Sequence, residues 1–483
     1  MENTRRESDL LGERDVPEDV YWGIHTLRAQ EHGQVSGLRL PPVFWQSYAV
    51  VKKAACRANL TLGYLPPEKA QAICAACDEI IAGRHAEQFV IDALSGGAGT
   101  SLNMNVNEVV ANRALELLGR RRGDYQALHP LADVNLHQST NDTFPTAVKI
   151  AALSEIDTLS GAIARLQGSF QKKEKEFARI IKLGRTELQD AVPMSLGQEF
   201  SAFAGALERD RWRTSKCTER LRVVNFGGTA LGNGLAAPRD YIFLVTDILR
   251  QLTGRGISRA ENLVDGTANA DAFVEVSGIL KAHAGNLIKI ANDLRLLNYW
   301  EEIRLPPLQA GSSIMPGKVN PVLCETVIQA GLKMCANDAL LAQAAARGTL
   351  QLSEFLPVVA YSLLESLAVL TRADGLFAPH IDGVVADVAV CRRRLAKSPV
   401  LITAFVPILG YERATAIVKE YAVSPDHDWW KFLEQRLGEG VVRQVLSPER
   451  LLQLGFVPDA PRPAAPEEVP DERADRDRQR PLA

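Results

Sequence analysis

The sequence predicts a mainly α-helical protein organised around several long helices packed side by side. Three observations carry this reading. Ile150, Leu153, Ile156, Leu159, Ile163, Leu166 and Phe170 recur at spacings of three and four, which marks the buried stripe of one long helix. The pattern returns in Leu196, Phe200, Phe203 and Leu207, and again in Leu287, Ile290, Leu294 and Leu297, with two more long segments after Val322 and Leu352. Pro193, Pro238 and Pro321 stand near the starts of these segments, where a missing N–H costs nothing. Long helices with apolar seams must bury them against one another, so an extended bundle is the natural architecture. Stripes this wide suggest that the bundle continues across subunits.

Composition narrows the class. The chain has 483 residues, 46% hydrophobic and 23% charged, the balance of an ordinary soluble globular protein of two or three domains. A formal net charge of −3 supplies no global basic field, so nucleic acid is not an expected partner. No run is judged long and apolar enough to cross a bilayer, and MENTRRESDL lacks the apolar core of a signal peptide. Seven cysteines, an odd count, argue against a disulfide scaffold, and a cytoplasmic location is expected. Cys74 and Cys77 form a C-x-x-C pair, but AQAICAACDEII reads as a helix whose small residues pack into a core.

Along the chain, residues 1–141 read as a mixed domain of short helices and loops. Residues 142–398 read as the central helical bundle, and residues 399–458 as a small helical domain holding Gly410, Tyr411 and Trp429-Trp430. The stretch 459–483, rich in proline and charge, is expected to be a disordered, solvated tail.

Three polar, glycine-containing stretches interrupt the helical pattern. The first is Gly96-Gly97-Ala98-Gly99-Thr100-Ser101, followed by Asn103, Asn105 and Asn107. The second runs from Asn135 through Ser139, Thr140, Asn141 and Asp142 to Pro145, and the third is GSSIMPGKVNP at 311–321. Helix starts with free N–H groups, hydroxyls and a lysine make a ready site for carboxylates. Taken alone, Ser139-Thr140-Asn141 reads equally well as a helix cap.

The third stretch resembles the signature loop of the aspartase/fumarase superfamily. GERDVPEDVYWGIHT, GGAGTSLNMNVNEVVANRALEL, VNLHQSTNDTFP, GRTELQDAVPMSLGQEF and NDLRLL resemble further blocks of that family, in family order, from about residue 10 to about 415. The resemblance implies three domains, a central five-helix bundle, and a homotetramer whose active sites draw on loops of three subunits. It implies reversible anti-elimination from succinyl compounds, usually giving fumarate, with no metal and no organic cofactor needed. By matching positions, Ser312 is the catalytic base. Thr100, Ser139, Thr140 and Ser313 would donate to the carboxylate that becomes a doubly charged aci-carboxylate. Lys318, Asn320 and Thr186 would hold the other carboxylate, while Asn141 and Glu187 would face the leaving group. A serine is a poor base, so its alkoxide must be stabilised by backbone N–H groups and Lys318. The loop is expected to close over substrate. Gln189-Asp190 reads as structural, and His137 as a bystander.

Position 187 bears on the substrate. In GRT-x-LQDA the fumarases carry histidine and the aspartases glutamine or histidine, whereas this chain has Glu187. A carboxylate there suits a cationic ammonium better than a departing hydroxide. LQDAVPMSLGQEF and QLSEFLP also lean to aspartases, while Gly317 and Val322-Leu323-Cys324-Glu325 lean to fumarases. An amine lyase is therefore favoured over a hydratase, and a non-catalytic relative is disfavoured because Ser312, Lys318 and Asn320 are all present. Asn298-Tyr299-Trp300-Glu301-Glu302 replaces a longer family loop, Ser353 and Val406 replace usual asparagines, and Gly232-Asn233-Gly234 replaces G-T-G. With Glu187, the shortened loop admits a substrate with a second amino group or an N-substituent.

Overall fold

The computed structural model describes residues 3–425 and 428–456. The tail expected to be disordered, 459–483, lies outside the described residues. The helices, in order, are α1 (Ile24–Gly33), α2 (Pro42–Thr61), α3 (Pro67–Ile81), α4 (Thr100–Leu117), α5 (Thr140–Glu176) and α6 (Leu196–Leu221). They continue with α7 (Arg239–Thr253), α8 (Leu263–Ala268), α9 (Asp271–Tyr299), α10 (Val322–Ala345) and α11 (Leu356–Asp382). The C-terminal set is α12 (Val388–Lys397), α13 (Val406–Leu409), α14 (Tyr411–Ala422), α15 (Trp429–Leu437), α16 (Glu439–Val445) and α17 (Pro448–Leu451).

The five longest helices are α5, α6, α9, α10 and α11, as the apolar stripes predict. Their seams are visible residue by residue. Phe170 of α5 packs within 5.8 Å of Phe200 and 5.6 Å of Phe203 of α6, and within 6.3 Å of Phe377 of α11. Burying each such ring contributes about 2 kcal/mol before the cost of ordering it. Polar groups join the same helices: Asp210 of α6, His283 of α9 and Asp374 of α11 form one buried chain.

Helix α11 corrects one sequence expectation. It has 27 residues, and its most apolar window reaches a mean hydropathy of 1.3, enough in length and composition for a membrane span. The physical reason lies in its place: α5, α9 and α10 all pack on it, and 61% of that window is buried inside the protein. A helix that packs against three neighbours needs apolar residues on more than one face.

The N-terminal region holds longer helices than expected, with 20 residues in α2 and 18 in α4. Its start is a hairpin of β1 (Thr4–Asp9) and β2 (Gly12–Pro17), paired from Thr4 with Pro17 to Asp9 with Gly12. Glu108 of α4 ties the next segment down by accepting the amides of Gly23 and His25, each at 2.8 Å.

By packing, the described residues form two compact units: those up to 178 with 197–387, and 179–196 with those from 388 on. The second contains a hairpin that sequence reading missed, β3 (Ile181–Thr186) with β4 (Gln189–Ser195), which pairs Leu183 with Pro193. Pro193 thus stands in a strand rather than at a helix start. Pro238 and Pro321 do cap α7 and α10. The core of the second unit gathers Leu183, Leu401, Phe405, Trp429, Phe432 and Leu433. The first unit also carries two short ladders, β5 (Val223–Val224) parallel to β6 (Ser258–Arg259), and β7 (Ile303–Arg304) antiparallel to β8 (Val385–Ala386).

Candidate active site

Two helix N-termini, those of α4 and α5, form the first part of the site. Before α4 the backbone turns through three residues of positive φ, Gly97 at 74°, Ala98 at 54° and Gly99 at 90°. A Cβ on Gly99 would lie 2.6 Å from the Phe144 ring of α5, so glycine lets the two elements approach. Thr100 follows as the first helical residue and is exposed.

Ser139 caps α5. Its hydroxyl accepts the Asn141 N–H at 3.2 Å, and its own N–H donates to Asp142 at 2.9 Å, a complete capping box. Asp142 is fully buried and also accepts the amides of Gly227 and Thr229, each at 3.1 Å. Burial pushes its carboxyl up to about 6, against the pull of those three N–H groups and of Lys52.

Pro145 lies inside α5 and cannot serve the carbonyl of Asn141, four residues earlier. Asn225 does so instead, donating from its side chain to that carbonyl at 3.0 Å. The Asn141 side chain donates in turn to the Ala230 carbonyl at 2.8 Å. The 225–230 loop therefore holds Asn141 at both backbone and side chain. Because a carbonyl can only accept, the Asn141 amide presents its nitrogen there and its Oδ1 elsewhere.

Beneath these helix starts lies a buried polar layer. Lys52 of α2, fully buried, donates to Asn135 at 2.9 Å and Gln138 at 3.0 Å. Burial lowers its pKa to about 7 although Asp142 pulls the other way. Asn135 Oδ1 also accepts from Asn103 and Asn107, both at 3.2 Å, and Asn103 donates to Thr140 Oγ1 at 3.0 Å. His137, at φ 61°, is held by Asn59 at 2.7 Å.

The 311–321 loop is closed on itself. The Gly311 N–H donates to the Lys318 carbonyl at 2.7 Å, and the Asn320 side chain donates to the Gly311 carbonyl at 2.8 Å. A Cβ on Gly311 would meet that Lys318 carbonyl at 2.8 Å and the Asn320 nitrogen at 2.9 Å, so the closure requires glycine. Inside the loop Ser312 Oγ accepts two backbone N–H groups, from Met315 at 2.9 Å and Ile314 at 3.2 Å. Ser313 and Lys318 are exposed, and Ser312 and Asn320 are partly covered.

Thr186 and Glu187 belong to the second unit. Glu187 at φ 52° and Leu188 at φ 63° form the two-residue tip of the β3–β4 hairpin, the left-handed geometry of a type I′ turn. Both tip residues are exposed. Asp190 in the same hairpin accepts from Ser398 at 3.1 Å.

Ser139, Thr140 and Asn141 stand together at the start of α5, and Thr100 opens α4, which meets α5 through Asn103 and Thr140 at 3.0 Å and through Gly99 and the Phe144 ring. The hydrogen bonds of the 311–321 loop, among the described residues, stay within the loop and the start of α10. Sequence reasoning missed Tyr48, Lys52, Asn135 and Asn225 as the groups that hold the site. A signal for Lys52 existed: Tyr48, Lys52, Ala55 and Asn59 follow one another at three and four along α2, on its buried face.

The family model described as "Lyase" matches residues 12–335. An aspartate ammonia-lyase from Helicobacter pylori is 43% identical over 457 residues, covering 93% of this chain and 98% of that protein. The chain belongs to the aspartase/fumarase lyase family. Another member, an aspartate ammonia-lyase from Corynebacterium glutamicum, is 45% identical across 94% of this chain and 88% of its own length. Among solved structures, a fumarate lyase:delta crystallin from Brucella melitensis is 47% identical, with a TM-score of 0.90 over 94% of this chain and 100% of that one. A class II fumarase from Schistosoma mansoni shares 31% identity and a TM-score of 0.87 over 92% of this chain and 98% of that one. The mainly helical fold expected of an aspartase/fumarase lyase is thus the fold observed.

Proposed function

We propose that this lyase removes ammonia from L-aspartate, or a close aspartate-like acid, by reversible anti-elimination to fumarate. The observation that carries the reading is Ser312 Oγ resting on the Met315 and Ile314 amides at 2.9 and 3.2 Å. Two N–H donors aimed at one hydroxyl oxygen stabilise its alkoxide, which is what a serine base needs. The names of relatives 43–45% identical support the same substrate.

In this mechanism the Ser312 alkoxide takes the proton from the carbon beside the β-carboxylate. The electron pair moves into that carboxylate, giving the aci-carboxylate, which receives hydrogen bonds from Thr100, Ser139, Thr140 and Ser313. Lys318, Asn320 and Thr186 hold the other carboxylate. As the double bond forms, the C–N bond breaks and neutral ammonia leaves with the bonding pair. It then takes the proton held by Ser312 and departs as ammonium. Asn141 and Glu187 face that amine. The Asn141 amide, anchored through its nitrogen to Ala230, offers an acceptor oxygen, which suits an ammonium donor. A cytoplasmic homotetramer, with each site assembled from three subunits, is the working form we propose. It fits a chain whose own loop and helix-start groups are held by separate sets of hydrogen bonds.

The test follows fumarate release from L-aspartate and from L-malate. Ser312→Ala should lower the aspartate rate by about 10²–10⁴-fold, the usual contribution of a positioned base. Unchanged turnover in that variant would remove Ser312 from the mechanism, and release from malate alone would replace the amine reading by a hydratase. Glu187, exposed at its hairpin tip, also suits an aspartate bearing a second amino group. That idea is lost if Glu187→Gln raises turnover of plain L-aspartate without harming a diamino substrate.

A further inference from the structure

We infer that Asn103 is a positioning residue that fixes the direction in which Thr140 gives its proton. The inference rests on the reading of Thr140 as a donor to the aci-carboxylate. It follows from hydrogen-bond polarity carried outward from a backbone carbonyl, that of Gln138.

The Gln138 carbonyl can only accept, so the Asn135 atom 3.1 Å from it must be the NH₂. The other end of the same amide, 2.9 Å from Lys52 Nζ, is therefore the oxygen. Its oxygen then requires a donor from Asn103, 3.2 Å away, and that donor is Asn103 Nδ2. Asn103 Oδ1 then lies 2.9 Å from the Tyr48 hydroxyl, which can donate to it. The same Nδ2 reaches Thr140 Oγ1 at 3.0 Å, so Thr140 accepts on its inner side. Among the described residues no acceptor takes the Thr140 proton, and it is left for a ligand at the start of α5.

A threonine whose hydroxyl could rotate would spend part of its time donating inward. The buried amide removes that option before substrate arrives, and this preorganisation makes a donor effective in a transition state. Asn103 touches no reacting atom in this scheme and acts only through Thr140.

The experiment is a double-variant cycle on the full-length enzyme with L-aspartate. Asn103→Asp replaces the donor by a group that only accepts, so the Thr140 proton turns inward. kcat should fall about 10–100-fold while KM changes less than about threefold, because one donor to the developing charge is lost. Binding of 3-nitropropionate, whose nitronate carries the charge pattern of the aci-carboxylate, should weaken in parallel, and succinate binding should not. In a Thr140→Val background the Asn103 substitution should add less than about a twofold loss. Independent, multiplying losses would overturn the inference, as would a folded Asn103→Asp enzyme of full activity. If Thr140→Val by itself leaves the rate untouched, the reading of Thr140 fails first. Should Asn103→Asp not fold, Asn103→Ser, small and neutral, enters the same cycle with a loss expected between wild type and Thr140→Val.

Discussion

Removing the imidazole of His283 should destabilise the bundle strongly and change how its stability depends on pH. His283 on α9 stands 3.0 Å from Asp210 of α6 and 3.0 Å from Asp374 of α11, and all three side chains are at most 1% exposed. Asp210 has further partners, Asn286 at 2.9 and 2.8 Å and Arg213 at 3.2 Å. Asp374 has none besides His283 among the described residues, and its Oδ1 is unpaired. Burial disfavours the imidazolium, yet the attraction of Asp374 and hydrogen bonds to both carboxylates outweigh it and raise its pKa to about 10. His283→Leu keeps a similar volume but leaves Asp374 buried with no partner. Breaking a buried pair in this way costs about 3–5 kcal/mol. The pKa shift gives the same order, since a rise from 6.5 to about 10 at about 1.4 kcal/mol per unit is about 5 kcal/mol at most. Because the folded-state value is the higher one, this contribution is complete below about pH 6.5 and is lost as pH rises through about 10. Thermal midpoints measured across that window should therefore fall with pH in the wild type. The variant should melt roughly 5 °C lower near neutrality, by scaling the usual entropy of unfolding to a chain of this size, and lack that decline. Replacing both His283 and Asp374 by leucine should recover part of the loss. Equal midpoints with the same pH slope in wild type and His283→Leu would refute the reasoning.

Other substitutions test the site more locally. Gly311→Ala should lower fumarate formation at least about tenfold with little change in melting, because the new Cβ meets the Lys318 carbonyl at 2.8 Å and opens the loop that seats Ser312. Gly99→Ala should impair both folding stability, by about 1–3 kcal/mol, and activity, since the residue sits at φ 90° with the Phe144 ring 2.6 Å from the added carbon. Asn225→Ala strips the Asn141 carbonyl of its donor, which Pro145 cannot replace, and should cost about 1–2 kcal/mol in denaturant unfolding. An unaltered midpoint there would mean that water serves the carbonyl equally well.

Much of the bundle is legible because its signal is local. The stripe from Ile150 to Phe170 lies within α5, and those of Leu196 and Leu287 within α6 and α9, since burial on one face imposes a period that any window reveals. The β3–β4 hairpin was not legible. Glu187-Leu188 lacks the Asn-Gly or Asp-Gly chemistry that announces a type I′ turn, and Pro193 argues against a strand. Both are tolerated because the second unit packs Leu183 into its core. Sequence reading underestimates the apolar length of helix α11: packed by α5, α9 and α10, it has the length and composition of a membrane span. The signature residues Ser312, Lys318 and Asn320 could be picked out by resemblance, but the two amides on Ser312 Oγ could not.

The sequence by itself determined the family and the helical architecture, and named the candidate site residues, because those are written in contiguous motifs and short-range periodicity. Only the tertiary structure decided which way each polar group faces. Lys52 and Asn103 are 51 positions apart in the numbering yet meet through Asn135, and Asn225 reaches back to Asn141 across α5 and α6. Hydrogen-bond direction depends on partners that folding brings together from distant segments, and no local pattern of residues encodes it.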